Sequence, residues 1–160
     1  MGPTLTCRHA ASPADLDAAR ALFREYAASL PFPLDFQGFE DELAGLPGEY
    51  AGPAGAILLA EEEDTGRIAG CVALRPLEEP GVCEMKRMYV RPEFRGRHVG
   101  RALGERILAE ARARGYRAMR LDTIDTMTPA IALYRELGFA PIAAYRFNPI
   151  PGARFFEAEL

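Results

Sequence analysis

Long apolar runs are missing from the 160 residues: none approaches the roughly 20 needed to span a bilayer, so no membrane association is expected. The opening stretch MGPTLTCRHAASP lacks a charged region followed by an apolar segment and a small-residue cleavage site. No secretory signal is read there, and a cytoplasmic location is expected. Cysteine is scarce and odd in number, since Cys7, Cys71 and Cys83 have no CxxC spacing. That pattern argues for reduced core thiols and against a disulfide framework or a thiolate metal site. Only His9 and His98 are available to lower a thiol pKa, so a catalytic cysteine is not expected either. Repeats, linkers and low-complexity stretches are absent as well, which leaves one domain over residues 1–160.

The charge pattern is informative. Net charge is −4, yet residues 35–64 hold nine acids and no base, whereas residues 86–120 hold eleven bases against Glu93, Glu105 and Glu110. One basic segment in an acidic chain predicts a local anionic ligand and argues against a nucleic-acid partner.

Local signals then order the elements. Residues 4–10 alternate weakly as a first strand, and Ser12-Pro13 with Asp15 forms a helix start. Leu16, Ala19, Phe23, Tyr26 and Leu30 recur at helical spacing up to Pro31, and Phe36, Phe39, Leu43 and Leu46 mark a short second helix ending at Pro47-Gly48. Residues 56–61, 68–77 and 82–90 read as strands of an antiparallel meander, separated by the turns EDTG and EEPG. Val99, Leu103, Ile107 and Ala111 line one helix face, and Gly115 is placed to end that helix. Residues 119–123 predict a fifth strand, 129–137 a helix closed by Gly138, and 139–147 with 154–160 a terminal strand pair. The order βααβββαβαββ defines an α/β domain.

The segment EMKRMYVRPEFRGRHVGRALGERIL runs from a strand into a helix through a loop rich in glycine and arginine. A helix amino terminus offers free N–H donors and the positive end of the dipole, so it suits a pyrophosphate. Gly96 and Gly100 allow close backbone approach, and Arg95, Arg97 and Arg101 add attraction. This stretch, VRPEFRGRHVG over residues 90–100, resembles the V-x-P-x-x-R-G-x-G-x-G signature of the GNAT superfamily of N-acetyltransferases. AIALYRELGF over residues 130–139 resembles that family's second signature. The resemblance implies a GNAT-type fold: a mixed, mostly antiparallel sheet of about 6–7 strands flanked by about four helices, in the order read above. His98 stands where the family most often has its middle glycine, and Met127 where many members have an asparagine. Binding through backbone amides accommodates His98 if its φ is negative. Met127 removes a side-chain amide and puts the pantetheine contacts there in doubt.

The family implies acetyl-CoA as co-substrate and no metal. Coenzyme contacts would come from Met88, Tyr89 and Val90 on the fourth strand; from Arg95, Gly96, Arg97, His98, Val99, Gly100 and Arg101; and from Met127, Ala130 and Tyr134. The Met88 N–H would face the acetyl oxygen. Glu84 is the candidate base, on a strand face that period-two alternation shares with Lys86 and Met88; the alternative is an ion pair with Lys86 or Arg87. Tyr134 would protonate the departing thiolate, the alternative being a packing aromatic. By analogy, the acceptor would be framed by residues 30–36 and 145–152, with Phe32, Asp35, Phe36, Arg75, Tyr145 and Asn148 as candidates. The expected activity is acetylation of a primary amine of a small molecule or amino acid by direct attack. A protein or peptide acetyltransferase and a non-catalytic acetyl-CoA-binding regulatory module are the alternatives. The expected partner is a small-molecule amine, and a homodimer is allowed.

Overall fold

The computed structural model describes residues 4–34 and 38–160. Helix α1 (Pro13–Ser29) starts on a reciprocal cap. The Ser12 hydroxyl accepts from the Asp15 N–H at 3.1 Å, while the Asp15 carboxylate accepts from the N–H groups of Ala11 and Ser12. The helix ends at Ser29, and its C-cap Leu30, directly before Pro31, has the extended backbone that a following proline demands. Helix α2 (Phe39–Ala44) buries Phe39 and Leu43.

Strands β1 (Leu5–His9), β2 (Ala56–Glu62), β3 (Ile68–Pro76) and β4 (Val82–Val90) form a continuous antiparallel run. Helix α3 (Val99–Ala113) carries the chain to β5 (Ala118–Ile124), which lies parallel to β4. Helix α4 (Thr128–Glu136), β6 (Ala140–Ile142) and β7 (Ala153–Glu159) complete a seven-stranded sheet of order β1-β2-β3-β4-β5-β7-β6. The last strand thus inserts between β5 and β6. A strand over 139–147 was expected, but only three residues pair, and the chain leaves the sheet after Ile142. That departure frees Tyr145 and Arg146 to turn toward the sheet's other face.

Two cores sandwich the sheet. Leu58, Val72, Leu74, Met85, Leu121 and Phe156 pack with α3 and α4, whereas Ile57, Leu59, Cys71, Ala73 and Tyr89 pack with α1 and α2. Burial raises the thiol pKa of Cys71 and pushes that of Cys83 up to about 12, so both stay protonated at neutral pH. No helix among the described residues is long and apolar enough to cross a membrane.

Candidate active site

Strands β4 and β5 pair only at Val82↔Ala118, Cys83↔Met119 and Glu84↔Arg120. Beyond that point a cleft opens, walled by Met85, Lys86, Arg87 and Met88 on one side and by Leu121, Asp122, Thr123 and Ile124 on the other. Tyr26, Phe32 and Leu34, together with Met127, Tyr134 and Asn148, line the rest. The opening coincides with a bulge in β4. The register with β3 jumps between Cys71↔Tyr89 and Ala73↔Lys86, and Arg87 adopts φ 60. An extra residue of this kind bends a strand and re-aims its side chains.

The bulge also corrects the expected alternation. Cys83 and Met85 sit in the core under α3 and α4, and so do Met88 and Val90, whereas Tyr89 packs toward α1. Glu84 and Lys86 therefore face the α1 side and Met88 the other, because one inserted residue reverses the period-two pattern. The Tyr89 side chain meets Tyr26 edge-on and lies under the Arg95 guanidinium at 6.0 Å.

Glu84 occupies the last paired position, at the apex of the cleft, and is wholly buried. Its Oε1 accepts from the Arg75 Nε at 2.9 Å, and its Oε2 accepts from the Tyr145 hydroxyl at 2.5 Å and from Arg146. Burial pushes its pKa up, but the charges of Lys86, Arg146 and Arg75 and the Tyr145 hydrogen bond outweigh that, so the net shift is downward. A carboxylate so satisfied is a weak proton acceptor. It ties down the loop carrying Tyr145 and Arg146. Burial raises the Tyr145 pKa, and the neighbouring Glu84 charge adds to it.

Inside the cleft, the Lys86 Nζ lies 4.0 Å from Asp122 Oδ1, and both side chains are nearly inaccessible. Asn148 donates to the Asp122 carboxylate at 3.2 Å. Burial lowers the Lys86 pKa to about 8, with Glu84 and Asp122 opposing the fall and Arg87 and Arg75 adding to it. Arg87 itself is held by Glu42 through bonds of 2.9 and 2.8 Å. Tyr134 is buried between cleft and core, edge-on to Phe139, and desolvation raises its pKa above the usual phenol value.

A second groove lies at the start of α3. Val90, Phe94, Arg95, Gly96, His98, Val99, Gly100 and Arg101 line a hollow of about 490 Å³ with Leu133 and Glu136, a size typical of small-molecule sites. Gly96 has φ +81, and a Cβ on Gly100 would come within 3.3 Å of Leu133 Cδ2. His98, the residue before the helix, has φ 61 and ψ 22. The condition of a negative φ is thus not met: His98 holds the left-handed conformation, which is strained for a residue with a Cβ. Arg95 reaches back to the Val90 carbonyl at 3.2 Å, and Arg101 pairs with Glu136 across the groove and with Glu105 at 3.7 Å. Arg97 does not line the groove. It bonds Glu62 at 3.1 Å and stacks on Phe94, beside β2. These N–H donors, glycines and cations fit the pyrophosphate of acetyl-CoA.

Of the remaining expected site residues, Phe32 and Asn148 line the cleft, and Met127 does too. Asp35 and Phe36 lie outside the described residues. Arg75 sits behind Glu84 and bonds Glu49 at 2.6 Å, and Tyr145 spends its hydroxyl on Glu84, so neither lines the cleft. Ala130 packs on the core instead of the coenzyme groove. Sequence reasoning missed Lys86 and Asp122 as cleft groups. Asp122 carries no motif, whereas Lys86 carries one signal, its being the one lysine of the chain. No cluster of three or more His, Cys, Asp or Glu that could hold a metal occurs among the described residues.

Comparison with known proteins agrees with this geometry. Residues 18–139 match the acetyltransferase (GNAT) family. An N-acetyltransferase of Schizosaccharomyces pombe is 43% identical over 148 residues, 92% of this chain and 90% of that protein. The N-acetylaspartate synthetase of Mus musculus is 34% identical over 118 residues, 74% of this chain and 39% of that protein. YncA of Salmonella typhimurium, solved with its cofactor acetyl-CoA, shares the fold with a TM-score of 0.74 at 21% identity, over 98% of this chain and 94% of that one. The chain belongs to the acetyltransferase (GNAT) family and is an acetyl-CoA-dependent acetyltransferase.

Proposed function

We propose that this enzyme acetylates the primary amine of a small molecule or amino acid, which attacks acetyl-CoA directly in the cleft between β4 and β5. The observation that carries this reading is the parting of the two strands after Glu84↔Arg120, next to a helix amino terminus built for pyrophosphate. Acetyl-CoA supplies an activated acyl thioester; the chain supplies orientation, which can be worth about 7–11 kcal/mol. Backbone groups of β4 beyond Met85 have lost β5 as a partner and are available to an extended pantetheine. In this reading the Met88 N–H, beside the bulge at Arg87, stabilises the developing charge on the acetyl oxygen.

Tyr134 lines the cleft with its hydroxyl kept protonated by burial, as a donor to the leaving thiolate must be. Glu84, expected as the base, enters this reading as a positioning anion, because its oxygens already serve Arg75, Tyr145 and Arg146. A small acceptor is favoured by the aromatic and aliphatic wall of Tyr26, Phe32 and Leu34, which bounds a cleft instead of an open groove. The relative named for N-acetylaspartate synthesis points the same way, toward an amino-acid acceptor.

Release of CoA thiol from acetyl-CoA across a panel of alkylamines, amino acids and basic peptides tests the proposal. Turnover of one or more small amines is expected. Turnover of peptides alone would replace the small-acceptor reading, and tight acetyl-CoA binding without turnover of any amine would refute it.

A further inference from the structure

Lys86 is the single lysine among 19 lysines and arginines. Arginine keeps its proton throughout the accessible pH range, so the chain holds its one releasable side-chain ammonium inside the cleft. Two residues beyond the last β4–β5 pair, it lines the same space as Met88 and Tyr134 with only 5% of its surface exposed. The charged groups facing it are Glu84 and Arg87 from β4, Arg75 from β3 and Asp122 from β5; Tyr26 of α1 and Tyr134 of α4 complete the surroundings. Arg146 approaches from the loop before β7 but is spent on Glu84. Within this group Glu84 is fully bonded and Asp122 accepts from Asn148.

We propose that Lys86 is the base of the acetyl transfer, its uncharged Nζ accepting the proton of the acceptor's ammonium group in the cleft. The inference rests on the amine-acceptor reading above. The proton leaves the acceptor nitrogen for the Nζ lone pair. The freed amine pair then forms the N–C bond to the acetyl carbonyl carbon, and the C–S bond breaks with its pair going to sulfur. The second proton of the acceptor nitrogen passes to that sulfur through the Tyr134 hydroxyl, giving the CoA thiol, and the proton on Lys86 returns to solvent. Asp122, 4.0 Å away, stabilises the ammonium form once it has formed. The downward shift of Lys86 to about 8 places an appreciable neutral fraction near physiological pH, as a general base requires.

A single lysine makes the test direct. Protein grown with ε-13C-lysine gives one side-chain resonance, and its titration midpoint should lie near 8; a midpoint near the ordinary value of about 10.4 overturns the proposal. In the kinetic arm, Lys86→Gln and Lys86→Arg are compared with the native protein on the alkylamines that turn over and on hydroxylamine, which is already unprotonated at neutral pH. Both variants should lose about 10²-fold in kcat with alkylamines, with little change in KM or acetyl-CoA affinity, and less than about tenfold with hydroxylamine. Arginine keeps the charge and cannot release the proton, so a role limited to balancing Glu84 and Asp122 predicts that Lys86→Arg is active and Lys86→Gln is not. That outcome, or an equal loss with both nucleophiles, refutes Lys86 as the base while leaving the acetyltransferase reading intact. Failure of the native protein to turn over any amine refutes both.

Discussion

Replacing His98 with glycine isolates the backbone of the coenzyme loop from its side chain. His98 is exposed, its side chain makes no cap hydrogen bond, and it sits at φ 61. The left-handed conformation costs a residue with a Cβ about 1–2 kcal/mol. Glycine escapes that cost but gains about 0.5–1 kcal/mol of unfolded-chain freedom. His98→Gly should therefore range from neutral to about 1.5 kcal/mol more stable, whereas His98→Ala retains the strain. The two variants should differ by about 1 kcal/mol, or about 2–4 °C in Tm for a chain of this size. Thermal unfolding of the three proteins, with and without acetyl-CoA, reads both stability and binding. Acetyl-CoA affinity should change less than about threefold in either variant, since the helix N–H groups keep their aim. Equal melting points for the glycine and alanine variants would refute the strained conformation. A tenfold loss of affinity in both would show that the imidazole carries the binding.

Gly100→Asp should weaken acetyl-CoA binding far more than His98→Ala, by at least about 2 kcal/mol: its Cβ crowds Leu133 at 3.3 Å and its carboxylate opposes a phosphate. Isothermal titration ranks the two. Tyr134→Phe should lower kcat by about tenfold or more with KM little changed, because the hydroxyl is needed only at departure of the thiolate; a change in Tm alone would reduce Tyr134 to packing. Glu84→Gln should destabilise by about 3–5 kcal/mol, as it leaves Arg75 and Arg146 facing a neutral amide in a buried site. Its pH signature follows from sign: Glu84 and Glu110 are held below their ordinary values, Glu110 at about 2. The stability they contribute is complete above about pH 4.5 and is lost as pH falls through the lowered folded values. Urea midpoints from pH 6 to 2 should therefore drop less steeply in Glu84→Gln than in the native protein, and parallel curves would refute its role as a stabilising anion.

Much of the fold was legible because its signals are local. The Ser12-Pro13-Asp15 cap, the apolar stripe from Val99 to Ala111 and the turns between β2, β3 and β4 depend on neighbours a few residues away. The strand–loop–helix passage from β4 to α3 was legible for the same reason, since one strand end, one glycine-rich turn and one helix start build it. The long terminal strand was misread because a strand needs a partner that local sequence does not name. Pairing stops at Ile142.

The cleft belongs to the other category. Alternation assigned Glu84, Lys86 and Met88 to one face, but the face of a strand residue depends on every residue between it and the reference, and one bulge at Arg87 reverses the rest. The burial that makes Lys86 acidic and the cations that keep Glu84 ionised come from β3, β5 and the loop before β7, up to 62 residues away in the chain. The sequence by itself determined the family and its element order, and it located the glycine- and arginine-rich loop before α3, because each is written in contiguous residues. That burial lowers the pKa of Lys86 while neighbouring cations hold Glu84 ionised was decided only in the tertiary structure, since a pKa is set by the desolvation and charge that distant segments bring to it.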